Sequence, residues 1–346
     1  MRNPTTAGSP GQRLCEAFYR TAVAPALAAE LAGTAHAAAL LGRGSEVLGY
    51  DDEMSRDHDW RARVTILLTE QDLAACGGPD EVAARLQHRC PAEFDGVPTA
   101  VHVTTIGRRI HQDLRLDVDA DWTAADWIGL PEQQLCALTS GPVFHDEIGA
   151  AATLERLAHY PPDVWRYLLA AAWWRVHPEA NLVGRTGAAG DDLGSAMIAA
   201  DLVAGFVRLA FLVEGTYAPY SKWLGSAFAR LTLAPELGPT LTSILGATNW
   251  RHREVALQEA YRILGAACNE LCLAPFQEMT SQQLWDRPYP VLWADFPTAL
   301  LAAIDDPEVQ QIARRWPVGV VDRIPALLWA PRDQAAVRAL LMTPPG

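Results

Sequence analysis

Basic residues are scarce relative to acidic ones: 28 Lys and Arg stand against 41 Asp and Glu, a formal net charge of −13. That balance excludes a protein that wraps bulk nucleic acid non-specifically, because phosphate backbones demand basic surface. It leaves room for a local basic pocket around one nucleotide. Cysteine is sparse too. The six cysteines, at 15, 76, 90, 136, 268 and 272, form no C-x-x-C pair, and a chain of 346 residues needs no disulfide staples. Cys268 and Cys272 stand one helical turn apart, but no second pair is near, and they read as buried thiols. The opening residues, MRNPTTAGSPGQRLCEAF, lack the apolar core of a secretion signal. The most apolar stretch, 196–213, carries Asp201 and Arg208, so it reads as a buried helix rather than a membrane span. A reducing cytoplasm is the expected compartment, with no membrane partner. No G-x-x-x-x-G-K-[ST] loop, H-E-x-x-H pair or EF-hand loop occurs, and no Ser or Cys sits at a recognisable nucleophile turn. A hydrolase triad is unsupported, although Phe144-His145-Asp146 sets a histidine beside an acid.

What is present is a globular composition, half apolar and with 12 Trp, long enough for two domains. Residues 1–10 form a polar tail. Residues 11–31 have helical spacing. Apolar runs at 37–41, 64–68 (VTILL) and 101–106 (VHVTTI) read as strands. Residues 79–90 read as a helix, with Pro79 at its first position and acids in its first turn. Beyond about 125 the pattern is helical: 131–138, 151–158, 162–176, 192–213, 221–231, 251–271, 296–303, 306–314 and 333–342. The expectation is an α+β chain. A small mixed sheet with helices over 11–125 is followed by a larger all-helical domain over 126–346.

The unusual residues concentrate in LGRGSEVLGYDDEMSRDHDW, residues 41–60. Gly44 and Ser45 close the first strand. Glycine there lets backbone approach a ligand, and serine offers a hydroxyl and an N–H to a phosphate. Asp57 and Asp59 flank His58 at i and i+2, a spacing that on a strand points both carboxylates to one face. Two such charges repel unless a cation lies between them, and hard oxygen ligands suit Mg²⁺, or Mn²⁺, bridged to phosphates. His102 and Thr104 share one face of the VHVTTI strand. As loop residues, Asp57 and Asp59 would be no more than solvated acids.

The order "apolar strand, Gly-Ser, about a dozen residues, Asp-x-Asp, apolar strand" resembles the core signature of the DNA polymerase β-like nucleotidyltransferase superfamily. The resemblance implies a nucleotidyltransferase-like sheet in which Asp57 and Asp59 hold the metal while Gly44 and Ser45 cradle the phosphates of a nucleoside triphosphate such as ATP. It departs at the third carboxylate. His102 stands where a later strand usually supplies Asp or Glu, so it becomes third ligand or general base, with Asp113 as the other candidate. More broadly, GRGSEVLGYDDEMSRDHDW, LTSGPVFHD, GDDLGS, YAPYSKWLG and WRHRE resemble an uncharacterised bacterial family. That family joins a nucleotidyltransferase-like N-terminal domain to a helical domain, and the likeness runs from about 30 to about 325.

In the helical half, Gly184-Arg185 and Gly190-Asp191-Asp192 flank an expected loop. Arg185 could reach a phosphate, and Asp191 reads as a helix N-cap. Pro219 is expected to break one helix so that Tyr220 and Lys222 begin the next, where similar enzymes bind the triphosphate tail with lysine. Arg253-Glu254 reads as a structural ion pair. The function expected is transfer of a nucleoside monophosphate from a nucleoside triphosphate to a hydroxyl or amine, with the acidic surface favouring a small-molecule acceptor. Two alternatives stand beside it: a catalytically degenerate nucleotide-binding or regulatory module, and a biosynthetic enzyme running other phosphate chemistry on the same fold.

Overall fold

The computed structural model describes residues 8–54, 60–283, 290–316, 319, 337, 339 and 341–342. The Asp57-His58-Asp59 triplet and most of the helix expected over 333–342 lie outside the described residues.

The chain is α+β. The first elements are α1 (Pro10–Phe18), α2 (Ala24–Glu30), β1 (Ala37–Ala39), α3 (Ser45–Leu48), β2 (Ala62–Leu67), α4 (Glu70–Ala75) and α5 (Pro79–Arg89). Next come β3 (Glu93–Phe94), β4 (Val97–Thr104), α6 (Ile106–Leu114), α7 (Ala124–Ile128), α8 (Glu132–Thr139), β5 (Val143–Asp146) and α9 (Ala150–Arg156). The remainder is α10 (Pro162–Ala188), α11 (Asp192–Val213), α12 (Ser221–Phe228), α13 (Ala234–Gly246), α14 (Trp250–Glu270), β6 (Thr280–Gln283), β7 (Pro290–Trp293), α15 (Phe296–Ala302) and α16 (Pro307–Arg315). They fall into two compact units. Among the described residues, one holds those up to Asp121 together with Gln133–Ala158, and the other holds Trp122–Glu132 and those from His159 onward.

In the first unit the strand order is β3-β4-β2-β1-β5. β2 and β4 are parallel, and β1 runs antiparallel to both β2 and β5, so the sheet is mixed. Ser9 caps α1 through a capping box with Gln12. One π-helical turn, Tyr19–Val23, joins α1 to α2. It directly precedes Pro25, which has no N–H and whose ring crowds the carbonyl four residues back, so the helix widens there. Ala38, Ala62, Val64, Ile66, Val101 and Val103 bury one sheet face beneath Phe18, Val23 and Leu27 and beneath Val82 and Leu86 of α5. On the other face Ala37, Ala39, Leu41 and Leu67 meet Ala150 and Leu154 of α9. β5 was not expected, since VFHD is a short edge strand with partly exposed residues throughout.

The second unit is built on α10, α11 and α14. It is not wholly helical, because β6 and β7 form an antiparallel hairpin. α10 continues through Pro178 and Gly184 to Ala188, so the loop expected around Gly184-Arg185 is helix. Packing overrides local propensity here. Gly187 lies so close to Trp250 of α14 that a Cβ would sit 2.2 Å from its side chain. The apolar helix α11 is long and apolar enough by composition to cross a membrane, yet Phe206, Leu209 and Ala210 are buried against the rest of the unit. It ends at Val213, six residues before Pro219, so Pro219 is not its breaker.

Candidate active-site cleft

β1 runs into the turn at Gly42–Gly44, where α3 begins at Ser45. Gly44 has φ 140° and ψ 148°, a conformation essentially closed to other residues. A Cβ at Gly44 would lie 2.3 Å from the Glu46 carboxylate. That carboxylate is buried and accepts from Arg63 Nε at 2.9 Å and Nη2 at 2.6 Å. The Gly-Ser turn is thus tied through Glu46 to β2.

Along β2, Trp60 and Ala62 are buried while Arg61 is exposed and Arg63 half-buried. The parallel register sets Thr65 beside His102 and Leu67 beside Thr104. His102 and Thr104 therefore face away from buried Val101 and Val103, the alternation expected of VHVTTI. The strand itself stops at Thr104, because the Thr105 hydroxyl caps α6.

A cleft of about 800 Å³ opens where these elements meet. Gly42, Arg43, Arg63, Thr65, His102, Thr104, Arg108, Arg109 and Asp113 are in its walls. Five arginines line it, the others being Arg115 and those just named, against two aspartates, Asp80 and Asp113. In a chain of net charge −13 this is a concentrated basic site. Several of its arginines are held in place. Arg109 Nε donates to Asp113 at 2.7 Å, and Arg108 forks onto Glu70, which also accepts from the Thr105 hydroxyl. Those bonds hold the Glu70 pKa below the usual carboxylate range.

Desolvation, then the Arg63, Arg109 and Arg61 cations, push the His102 pKa below 6.5. His102 is thereby kept neutral near physiological pH, with a ring nitrogen free to accept a proton or a cation. It is level with Thr65, three residues along from the start of β2, roughly 10 Å at about 3.3 Å per residue.

Sequence reasoning missed the arginines. Their signal was the alternation of Arg61 and Arg63 with buried Trp60 and Ala62, and the Arg108-Arg109 pair just past the β4 strand. Asp113 lies on α6 rather than on a strand, committed to Arg109.

Arg185, Tyr220 and Lys222 belong to the second unit. Arg185 is exposed on α10, with Nη1 3.3 Å from Asn181 Oδ1. Tyr220 is the N-cap residue of α12, and exposed Lys222 is its second residue, its Nζ 4.8 Å from the Trp223 ring centre. Asp191 caps α11 by accepting from Gly194 N at 2.8 Å. Arg253 pairs with Asp192 of α11, not with its neighbour Glu254. Cys268 is buried as expected, but Cys272 is exposed.

Residues 127–224 match a domain of unknown function (DUF4037). That stretch carries Arg185, Tyr220 and Lys222. A solved nucleotidyltransferase-like protein from Exiguobacterium sibiricum 255-15 is similar at 9% identity and a TM-score of 0.30, over 81% of this chain and 98% of that one. No curated protein matches.

Proposed function

We propose that the first unit binds a nucleoside triphosphate and transfers its nucleotidyl group to a hydroxyl or amine of a small molecule. The observation that carries this reading is the arginine-lined cleft beside the Gly-Ser turn. Its volume suits a nucleotide-sized ligand, and its guanidinium groups suit phosphate oxygens. The pair of hard oxygen ligands is assigned to Asp57 and Asp59, as the resemblance implies. Asp57 and Asp59 would hold Mg²⁺ or Mn²⁺, which neutralises charge on the phosphates.

Gly44 and Ser45 offer backbone and hydroxyl to the β/γ-phosphates, while Arg63 offsets Glu46 behind them. Arg43 and Arg109 steady the remaining phosphate charge. Lys222, as the resemblance implies, and with it Arg185 and Tyr220 are proposed as phosphate-binding residues. The acceptor atom attacks the α-phosphorus, the bond to pyrophosphate breaks, and the acceptor proton passes to neutral His102. The protein is assigned to the cytoplasm.

A second reading, nucleotide binding without turnover, is favoured by His102 standing where the superfamily usually has a carboxylate. The deciding experiment is pyrophosphate release with Mg²⁺, across the four triphosphates and a panel of small acceptors. Release lost in Asp57→Asn supports the transferase. Nucleotide binding with no release from any acceptor supports the second reading, and the absence of both overturns the proposal.

A further inference from the structure

A second cluster lies on the helix-covered face of the sheet, at its β5 edge. β1 and β5 pair antiparallel with Ala37 opposite Asp146 and Ala38 opposite His145. One step beyond, Glu147 N donates to the His36 carbonyl at 3.0 Å. His145 and Glu147 share a face by the two-residue strand period, and His36 faces Glu147 across the ladder. The topology therefore delivers two imidazoles and a carboxylate to one point. Glu147 Oε2 lies 3.3 Å from His145 Nε2 and 3.6 Å from His36 Nδ1. All three donor atoms fall within 4.8 Å of one another.

We propose that His36, His145 and Glu147 hold a divalent transition-metal ion of the zinc class. Zinc–nitrogen and zinc–oxygen bonds of about 2.0–2.2 Å, set at the tetrahedral angle, keep neighbouring ligand atoms about 3.3–3.6 Å apart. The two carboxylate–imidazole separations match that spacing without a metal present. Two imidazole donors select such ions over Mg²⁺, which prefers oxygen.

Two further observations point the same way. His145 Nε2 is shielded from solvent yet makes no hydrogen bond of acceptable geometry. His36 Nε2 lies 3.0 Å from the Tyr19 hydroxyl, supplied by the π-helical turn, while its Nδ1 lies on the side of Glu147. Metal-bound histidines are characteristically oriented in this way, by a hydrogen bond at the nitrogen that does not bind. His36 and Glu147 also line a cavity of about 300 Å³, which gives water access to the remaining coordination positions. The ion would pin edge strand β5 to β1 and to the N-terminal helix. The cluster uses none of the residues assigned above to the nucleotide or its metal.

The test uses untagged full-length protein stripped with chelator, then titrated with Zn²⁺ alone by calorimetry and with Co²⁺ by visible absorption. One Zn²⁺ equivalent is expected, retained in the Asp57→Asn/Asp59→Asn variant and lost in His145→Ala. Glu147→Gln, at a half-exposed position that the fold tolerates, should weaken binding at least tenfold. Tyr19→Phe keeps all three ligands and should weaken it about 10–100-fold. Co²⁺ should give ligand-field bands of low coordination number in the wild type and in the exposed-histidine control His111→Ala. Absence of Zn²⁺ uptake by the wild type overturns the proposal. So does uptake unchanged by both His145→Ala and Glu147→Gln.

Discussion

Replacing Gly44 by alanine tests how the nucleotide turn is built. Two costs add. The backbone conformation at φ 140° and ψ 148° is reserved for glycine, worth about 1–3 kcal/mol against any other residue. The new Cβ would also lie 2.3 Å from Glu46 Oε1, which has to move away from Arg63. Breaking a buried pair costs about 3–5 kcal/mol, but the Arg63 side chain is 17% exposed against 6% for Glu46, so the lower end applies. Part of the strain relaxes, and a total of about 3–4 kcal/mol is expected. Gly149→Ala is the control. It has φ 78° and nothing within 4 Å of a Cβ, so only the left-handed backbone cost of about 1–2 kcal/mol remains. Two compact units make a single unfolding midpoint ambiguous. The assay is therefore hydrogen exchange at β2 amides such as Thr65 and Ile66, read beside denaturant unfolding. Equal costs for the two variants, or unchanged β2 protection in Gly44→Ala, would refute the reasoning.

Other consequences follow from charge. His102 should titrate below 6.5 by NMR, and Arg109→Gln should raise its pKa toward 6.5. Because the unfolded histidine binds its proton first, this residue lowers stability as pH falls through 6.5 to the folded pKa, and not above that range. Glu254 is buried with Oε1 unpartnered, and burial lifts its pKa from 4.5 to about 7. The protonated form is the stable one, so its contribution is complete below pH 4.5 and lost as pH rises through about 7. Glu254→Gln should thus stabilise by up to about 3 kcal/mol at pH 8 and by nothing near pH 4, read by denaturant melts at both. Lys222 is the sequence's sole lysine. A pyridoxal-phosphate probe, whose aldehyde reacts with lysines at phosphate sites, should label it, and ATP with Mg²⁺ should protect it. Labelling that ATP does not suppress would remove Lys222 from the nucleotide site.

Local pattern carried much of the fold. The runs AAALL, VTILL and VHVTTI marked β1, β2 and β4 to within a few residues, and Pro79 with its acids marked α5. What local pattern could not carry was set by packing. α10 outlasts Pro178 because the small residue Gly187 lets it close on Trp250. α13, with Gly238 and Pro239 inside it, falls between the helical runs expected at 221–231 and 251–271, yet packs as helix. β5 has no apolar alternation and exists because β1 offers it an edge. In the candidate site, Gly44 and His102 were legible because turn chemistry and strand parity are local. The cleft arginines come from the turn after β1, from β2 and from α6 with its C-cap, and the parallel β2–β4 register puts Arg63 on the face of His102, two residues from its partner Thr65.

The most direct test of the central claim is calorimetry of ATP binding with Mg²⁺, comparing the wild type with Asp57→Asn/Asp59→Asn and with Arg63→Gln. The account predicts saturable 1:1 binding to the wild type, weakened at least tenfold in both variants. Binding of equal strength to all three proteins would contradict it.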